Sequence, residues 1–364
     1  MATKFDRPIT QKSFAYIFVL FLTLFAIFHL TMWNLYTKRI FELPENMKIG
    51  DLSRLSYKTD SIQLRERRTP HHHNFFTFSN WDGQPVDLLT IGDSYSNGAV
   101  GEFYQDHLAA TQNLRVMNIQ QLPFTKNYLE TIVLLLNSGV LGTIKPRSIL
   151  IESVERECMN RFSTPINTAI KADYNTTIES LQKTHYISKN QPPIRFVNTA
   201  NYNAFLYKLL YMFDDNAYYS PVYITPLKQA FFSSEDAHSL LFINNDIEGV
   251  KKTTSRSVNK MNQSLNSLTD LLQKRNISLY FMPVVDKSNL YAPYIVENQY
   301  PASTFFETLR AMPRRYSLID TKQILTKQLE MGKHDIFYPD DTHWSRMSNA
   351  TVMSQTAFYK PISE

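Results

Sequence analysis

The sharpest contrast along the chain separates residues 13–33, SFAYIFVLFLTLFAIFHLTMW, from everything after them. That run carries no formal charge and is interrupted only by Ser, Thr and one His. About 20 apolar residues are enough to cross the hydrocarbon of a bilayer. Trp33 and Tyr36 stand at its far end, where amphipathic aromatic rings favour the membrane interface. Leu30-Thr31-Met32-Trp33 offers no small-residue cleavage site, so the run reads as an uncleaved anchor. Lys4, Arg7 and Lys12 precede it, and Lys38 and Arg39 follow. That asymmetry is too slight to fix the orientation by itself. The expectation is a cytoplasmic tail at 1–12, a transmembrane anchor at 13–34, and the rest of the chain outside a bacterial inner membrane.

Beyond the anchor, residues 35–84 are polar and charged and read as a connector. From Pro85 the pattern changes. PVDLLTIGDSYSNG places Val86, Leu88, Leu89 and Ile91 before a Gly-Asp-Ser turn, which predicts a buried strand entering a tight loop. LRVMNIQQL at 114–122 predicts a second strand, KNYLETIVLLLNSGVLG at 126–142 a helix ending at Gly142, and KPRSILIESVERE at 145–157 a third strand. Residues 158–250 break that rhythm; they are rich in Tyr, Phe and Asn and read as a mostly helical insertion. The alternation then returns. SVNKMNQSLNSLTDLLQKRN predicts an amphipathic helix, ISLYFMPVVDKSN a strand with its exit loop, and STFFETLRAMPRRY a helix. YSLIDT predicts a short strand and SNATVMSQTAFYKP a closing helix. Strands alternating with helices imply an α/β fold with a parallel sheet and crossover helices.

Composition narrows the function classes. Hydrophobic residues make up 43% of 364, so a substantial core can form. The net charge of +5 is spread along the chain, without the basic, aromatic-interleaved blocks that follow a nucleic-acid backbone. The one cysteine, Cys158, allows no internal disulfide and no thiolate metal site. His71, His72 and His73 are adjacent, but three neighbours cannot all point one way on a strand or helix, so no metal is expected there.

Two stretches carry candidate chemistry. In an open parallel sheet, ligands bind outside the carboxyl ends of the strands, where the Gly92-Asp93-Ser94 turn lies. Gly92 lets the chain turn sharply and Ser94 presents its hydroxyl, beside a following helix whose N–H groups would face an anion. A serine hydroxyl needs a base, and His343 in Asp340-Asp341-Thr342-His343-Trp344-Ser345 can be that base. A carboxylate must orient the imidazole, and Asp340 and Asp341 both qualify. Asp93 is expected to cap a helix. Asn118, Gln120 or Gln121 can supply an oxyanion donor. Arg156 can clamp an anion or pair with Glu152 or Glu155, and Trp344 can stack on a sugar or close the core beneath the histidine.

GDSYS at 92–96 and D-x-H-W at 341–344 resemble the first and last blocks of the SGNH/GDSL hydrolase superfamily. DTHWS resembles more narrowly the SGNH-like domains of the alginate O-acetyltransferases. PVVDKSNLYAPYI is similar to their proline-lysine-tyrosine strand and loop, and ILIESVERE to their central strand. The resemblance covers 85–157 and 255–360. It implies a three-layer SGNH-like α/β domain at 85–364 around a central parallel sheet, with an insertion at about 158–250. It also implies a serine nucleophile at Ser94, a base at His343 and an orienting aspartate, without cofactor. The usual superfamily spacing points to Asp340, the DTHW pattern to Asp341. The order of blocks here, serine first, is that of ordinary SGNH hydrolases and not that of the alginate enzymes. The superfamily's Gly and Asn oxyanion blocks are replaced, with Glu152 and Arg156 after the third strand. The implied activity is O-acetylation of an extracytoplasmic polysaccharide, with the acyl donor delivered by a membrane partner. A carbohydrate or lipid esterase of the same fold, or a non-catalytic glycan-binding member of an assembly complex, is the alternative.

Overall fold

The computed structural model describes residues 10–66, 73–97, 103–183, 195–356 and 358. Six strands form the central sheet: β1 (Phe76–Thr77), β2 (Leu88–Ile91), β3 (Val116–Ile119), β4 (Ser148–Val154), β5 (Ser278–Val284) and β6 (Ser317–Leu318). Their order across the sheet is β6-β5-β4-β2-β3-β1, and every pairing is parallel. All residues of β2, β3 and β4 are buried. A parallel strand covered on both faces has no reason to alternate, which is why these segments read as nearly unbroken apolar runs. The chain leaves β2 toward β3, crosses back to β4 and continues to β5. The direction of winding therefore reverses between β2 and β4, and an open α/β sheet forms its crevice at the carboxyl ends of such a pair.

Two groups of helices cover the sheet, giving three layers. Ser255–Gln273 packs with Tyr128–Asn137, Glu155–Phe162 and Phe305–Arg310; Arg346–Ser354 packs with Tyr104–Thr111 and Thr321–Glu330. The start signals are local. Asn127 accepts from Glu130 N at 3.0 Å and Thr254 from Ser257 N at 3.1 Å, each meeting a donor that the first helical turn leaves unpaired. Gly139, with φ +86°, splits the helix expected over 126–142 into Tyr128–Asn137 and Val140–Ile144. Gly142 lies inside the second piece and ends nothing. Helix Thr321–Glu330, capped by Asp320, was not among the expected elements. The insertion carries helices Tyr174–Lys183 and Thr199–Leu210. It also holds an antiparallel pair, Val222–Pro226 with Ser239–Ile243, which its aromatic-rich pattern did not announce.

Gln11–Phe41 is one helical stretch of 31 residues, long and apolar enough to cross a membrane. It contains a five-residue π segment at Trp33–Thr37. Trp33 is buried against protein, so it is not the lipid-facing interface anchor expected of it.

Residues 35–84 depart furthest from expectation. They are not a plain connector. Met47–Lys48 pairs antiparallel with Arg65–Glu66, Asp51–Ser56 is a helix, and β1 adds a strand to the central sheet before residue 85. The segment 47–66 forms a strap across the loop that contains His343. Gly50 lies so close to this loop that a Cβ would stand 1.8 Å from Asp340 O. His71 and His72 lie outside the described residues.

Candidate active site

The turn after β2 is held from beneath by β4. A Cβ on Gly92 would come within 2.2 Å of Glu152 Oε2 and 2.3 Å of Ser96 Oγ, so only glycine fits. Glu152 Oε2 accepts from Asp93 N at 3.0 Å and Ser96 Oγ at 2.7 Å. Burial, and then the neighbouring Asp93, push the Glu152 carboxyl well above its ordinary value, favouring its neutral form. Asp93 is the ionised partner. Burial opposes its charge, but the Arg161 guanidinium and the hydrogen bonds it accepts hold it below the usual range. Its Oδ2 accepts from Val154 N at 2.9 Å and Arg161 Nη1 at 2.5 Å. Its Oδ1 accepts from Tyr95 N at 3.3 Å. Asp93 therefore ties the turn to β4 and does not cap the following helix, which begins only at Tyr104.

Ser94 emerges from that turn with its Oγ 2.9 Å from His343 Nε2, across 249 positions of sequence. His343 Nδ1 lies 2.7 Å from Asp341 Oδ1, which also accepts from His343 N at 3.0 Å. A carboxylate only accepts, so Nδ1 carries the proton and Nε2 is left to accept from the serine hydroxyl. Burial lowers the imidazole pKa, but Asp341 outweighs it and holds the group above its ordinary value. Asp341 in turn stays far below the carboxylate range despite its burial, because His343 and Arg65 stabilise its charge.

Between the two aspartates the choice is geometric. Asp340 does not touch His343. Its Oδ2 accepts from Gly50 N at 2.7 Å and its Oδ1 from Arg65 Nη1 at 2.9 Å, so its role is to bind the strap. Arg65 Nη2 reaches Asp341 Oδ2, and one guanidinium thus bridges both carboxylates. Asp51 completes the strap's grip: it accepts from Thr342 N at 2.8 Å and Thr342 Oγ1 at 2.6 Å. From the sheet side, Lys287 Nζ donates to Tyr338 O at 2.8 Å, Pro339 O at 3.0 Å and Asp341 O at 3.2 Å. Burial brings the Lys287 ammonium down to about 8. Tyr95 joins the two halves, donating its hydroxyl to Thr342 O at 2.6 Å, with its ring 4.6 Å from that of His343.

Trp344 is 3% exposed, meets the Tyr95 ring edge to face and donates Nε1 to Asn349 Oδ1. It closes the core beneath the histidine and offers no face to a sugar. Arg156 pairs with Asp286 at 2.8 Å and Asp246 at 3.4 Å, not with Glu152 or Glu155, and has no part in an anion clamp. Gln121 donates to Thr125 O at 2.8 Å, inside its own loop. Asn118 Nδ2 donates to Asn97 Oδ1 at 3.0 Å and so stiffens the serine turn. Asp51, Asp341 and His343 bring ligand-type atoms within 4.8 Å of one another. Their carboxylate oxygens already accept from Thr342, His343 and Arg65. Arg65, Asp51 and Lys287 were not singled out from the sequence. For Lys287 the proline-lysine-tyrosine resemblance was the available signal; for the other two there was none.

Residues 240–358 match the family model for the SGNH hydrolase-like domain of the acetyltransferase AlgX. The SGNH-like resemblance to polysaccharide O-acetyltransferases thus holds for that segment, and the general type is acetyltransferase or esterase. No curated protein and no solved structure matches the chain. The AlgX-type segment contains Lys287, Asp341, His343 and Trp344 but begins well after Ser94 and Glu152. The histidine half of the site lies within the match, and the hydroxyl that faces it comes from outside.

Proposed function

We propose that the protein is a membrane-anchored acyltransferase that O-acetylates an extracytoplasmic polysaccharide through Ser94, His343 and Asp341. The observation that carries this reading is the continuous hydrogen-bond chain from Ser94 Oγ through the imidazole to the Asp341 carboxylate. In the first half-reaction His343 Nε2 takes the Ser94 proton as Oγ attacks the carbonyl carbon of the acyl donor. Asp341 stabilises the imidazolium that results. The tetrahedral intermediate collapses when His343 returns that proton to the leaving oxygen or sulfur, and an acyl-serine remains. In the second half-reaction His343 deprotonates a sugar hydroxyl, which attacks the acyl-serine. The proton then returns to Ser94 Oγ as the ester bond to serine breaks.

The oxyanion is assigned to the Ser94 backbone N–H. Among the described residues, the N–H groups of Asp93, Tyr95, Ser96 and Asn97 are engaged by Glu152 or by Asp93. That leaves the serine N–H to face the reacting carbonyl. The Gln11–Phe41 helix supports a single membrane span; the bacterial inner membrane, the domain on its outer side and an acyl donor delivered by a membrane partner complete the proposal. The second reading, an esterase, differs only in the acceptor. The cleft above His343 is open to solvent, so water has access to the same acyl-serine.

The test uses the full chain in detergent with a chromogenic acetyl ester, with and without an acetyl-free glycan acceptor, followed by intact-mass analysis. An acetyl adduct mapping to Ser94, discharged faster when glycan is present, is the expected result. Discharge at a rate indifferent to glycan establishes the esterase. Absence of both adduct and turnover, relative to Ser94→Ala, refutes the serine mechanism.

A further inference from the structure

The helix Thr199–Leu210, in the insertion, presents an apolar face that the acyl-transfer chemistry does not use. Tyr202, Phe205, Leu206 and Leu209 recur at helical spacing, and Met212 and Phe213 extend the same stripe into the following turn. All six are exposed, Met212 at 74% and Phe213 at 71%. A contiguous apolar stripe of this size marks a surface that another phase or another molecule covers.

Its position says which. The helix packs directly on the anchor. His29, a polar ring within an otherwise apolar stretch, is met on both nitrogens: Asn201 Nδ2 lies 2.8 Å from Nδ1 and Tyr202 OH 3.1 Å from Nε2. Asn201 Oδ1 accepts from Thr37 Oγ1 at 2.5 Å, within the π segment. Gln11–Met32 has 22 residues. At about 1.5 Å per residue it is roughly 33 Å long, against a hydrocarbon thickness of about 30 Å. His29 lies three residues before its end, about 4.5 Å inside that limit. A helix that touches the span at this depth cannot hold its outer stripe clear of the lipid. Between Thr199 and Phe213 there is no acid and one cation, Lys208, which is drawn back to donate to Tyr36 OH at 2.6 Å. Exposed Tyr218 and Tyr219 follow, residue types that favour the interface.

We propose that Thr199–Leu210 and its following turn lie in the outer interfacial layer of the bilayer that the anchor crosses, forming a second membrane contact. This rests on the reading of Gln11–Met32 as membrane-spanning. The stripe dips about 5–10 Å into the boundary between headgroups and acyl chains, as amphipathic interfacial helices do. The two contacts together fix the domain's tilt on the membrane, which a single flexible anchor would leave free.

The test places the full chain in nanodiscs whose lipids carry bromine both near the headgroup end and near the methyl end of the acyl chains. Leu20→Cys, Phe213→Cys and Lys274→Cys are each labelled with bimane; the native Cys158 is buried and does not compete. The expected result is quenching at Leu20→Cys and Phe213→Cys and none at Lys274→Cys. Quenching at Leu20→Cys alone overturns the proposal, leaves the anchor standing and assigns the stripe to a protein partner. Loss of quenching at both Leu20→Cys and Phe213→Cys overturns the anchor reading and the proposal with it.

Discussion

The serine turn and the histidine loop meet at one hydrogen bond, yet they are fixed in place by different means. The serine turn is supported from within the sheet: Glu152 and Val154 of β4 bind Asp93 and Ser96, and Gly92 exists to permit that approach. Its supports are central strands and buried carboxyls. The histidine loop is supported from outside, by a strap that begins six residues after the anchor helix ends at Phe41 and is almost 300 positions away in sequence. Gly50, Asp51 and Arg65 grip Asp340, Asp341 and Thr342 one after another. Ser94 therefore hangs from the central sheet, while His343 depends on a segment that runs back to the Gln11–Phe41 helix. Damage to the strap should move the base relative to the serine, whereas damage to β4 should move the serine itself.

The largest effect is expected at the meeting point. Ser94→Ala should lower turnover by about 10⁶-fold, by analogy with loss of the nucleophile in other serine enzymes. The melting temperature should not change, because the Ser94 hydroxyl supports nothing else. An equal loss in acyl adduct by mass spectrometry checks it.

Asp341→Asn should cost about 10⁴-fold in kcat, the scale of losing the correct tautomer. The pH profile separates this from general damage. A protonated imidazole cannot accept the serine proton, so wild-type activity should fall as pH drops through a His343 pKa above about 6.5. Without the Asp341 carboxylate, burial and Lys48 lower the imidazole pKa against Asp51 alone, and the inflection should move to lower pH. An unmoved inflection would detach Asp341 from the chemistry.

Arg65→Met tests the strap. It leaves two buried carboxylates without their shared cation, and breaking a buried pair in this way costs roughly 3–5 kcal/mol. Calorimetry should show that loss. Activity should fall even at temperatures where the variant stays folded. Full activity in the folded variant would mean that the strap stabilises the fold without positioning the base.

Glu152→Gln should have the smallest effect on rate, because burial already favours the uncharged acid and the amide oxygen can still accept from Asp93 N and Ser96 Oγ. Its signature is in stability. A carboxyl whose folded pKa is raised takes up a proton on folding, so the wild-type fold should weaken as pH climbs above the unfolded value of about 4.3 towards the raised one. The Gln variant lacks that slope, which denaturant midpoints across pH would reveal.

Much of this arrangement was legible in the sequence where its cause is local. A strand buried on both faces leaves an apolar run, so β2, β3, β4 and β5 were placed to within a few residues. The turn glycine and the Asp-x-His spacing both act over two or three positions. Asp341 lies two residues before His343, and its two contacts with that residue follow from that nearness. The strap was not legible, because a polar segment that grips a distant loop looks the same as one that is solvated. Arg65 and Asp51 have no local pattern that names Asp341 or Thr342 as partners. Arg156 was matched to its neighbours Glu152 and Glu155, while its partners Asp246 and Asp286 come from a helix in the insertion and the loop after β5. Two-residue strands such as β1 leave too short a trace for any period to register.

The closeness of Gly50 to Asp340 limits where the chemistry can take place. Phe41 ends the helical stretch, and Gly50 already touches the acid-base loop. Nine residues at full extension reach about 30 Å. A site rooted in this way stays close to the Gln11–Phe41 helix. On the proposed function, the acceptor must therefore come to a thin shell next to the lipid.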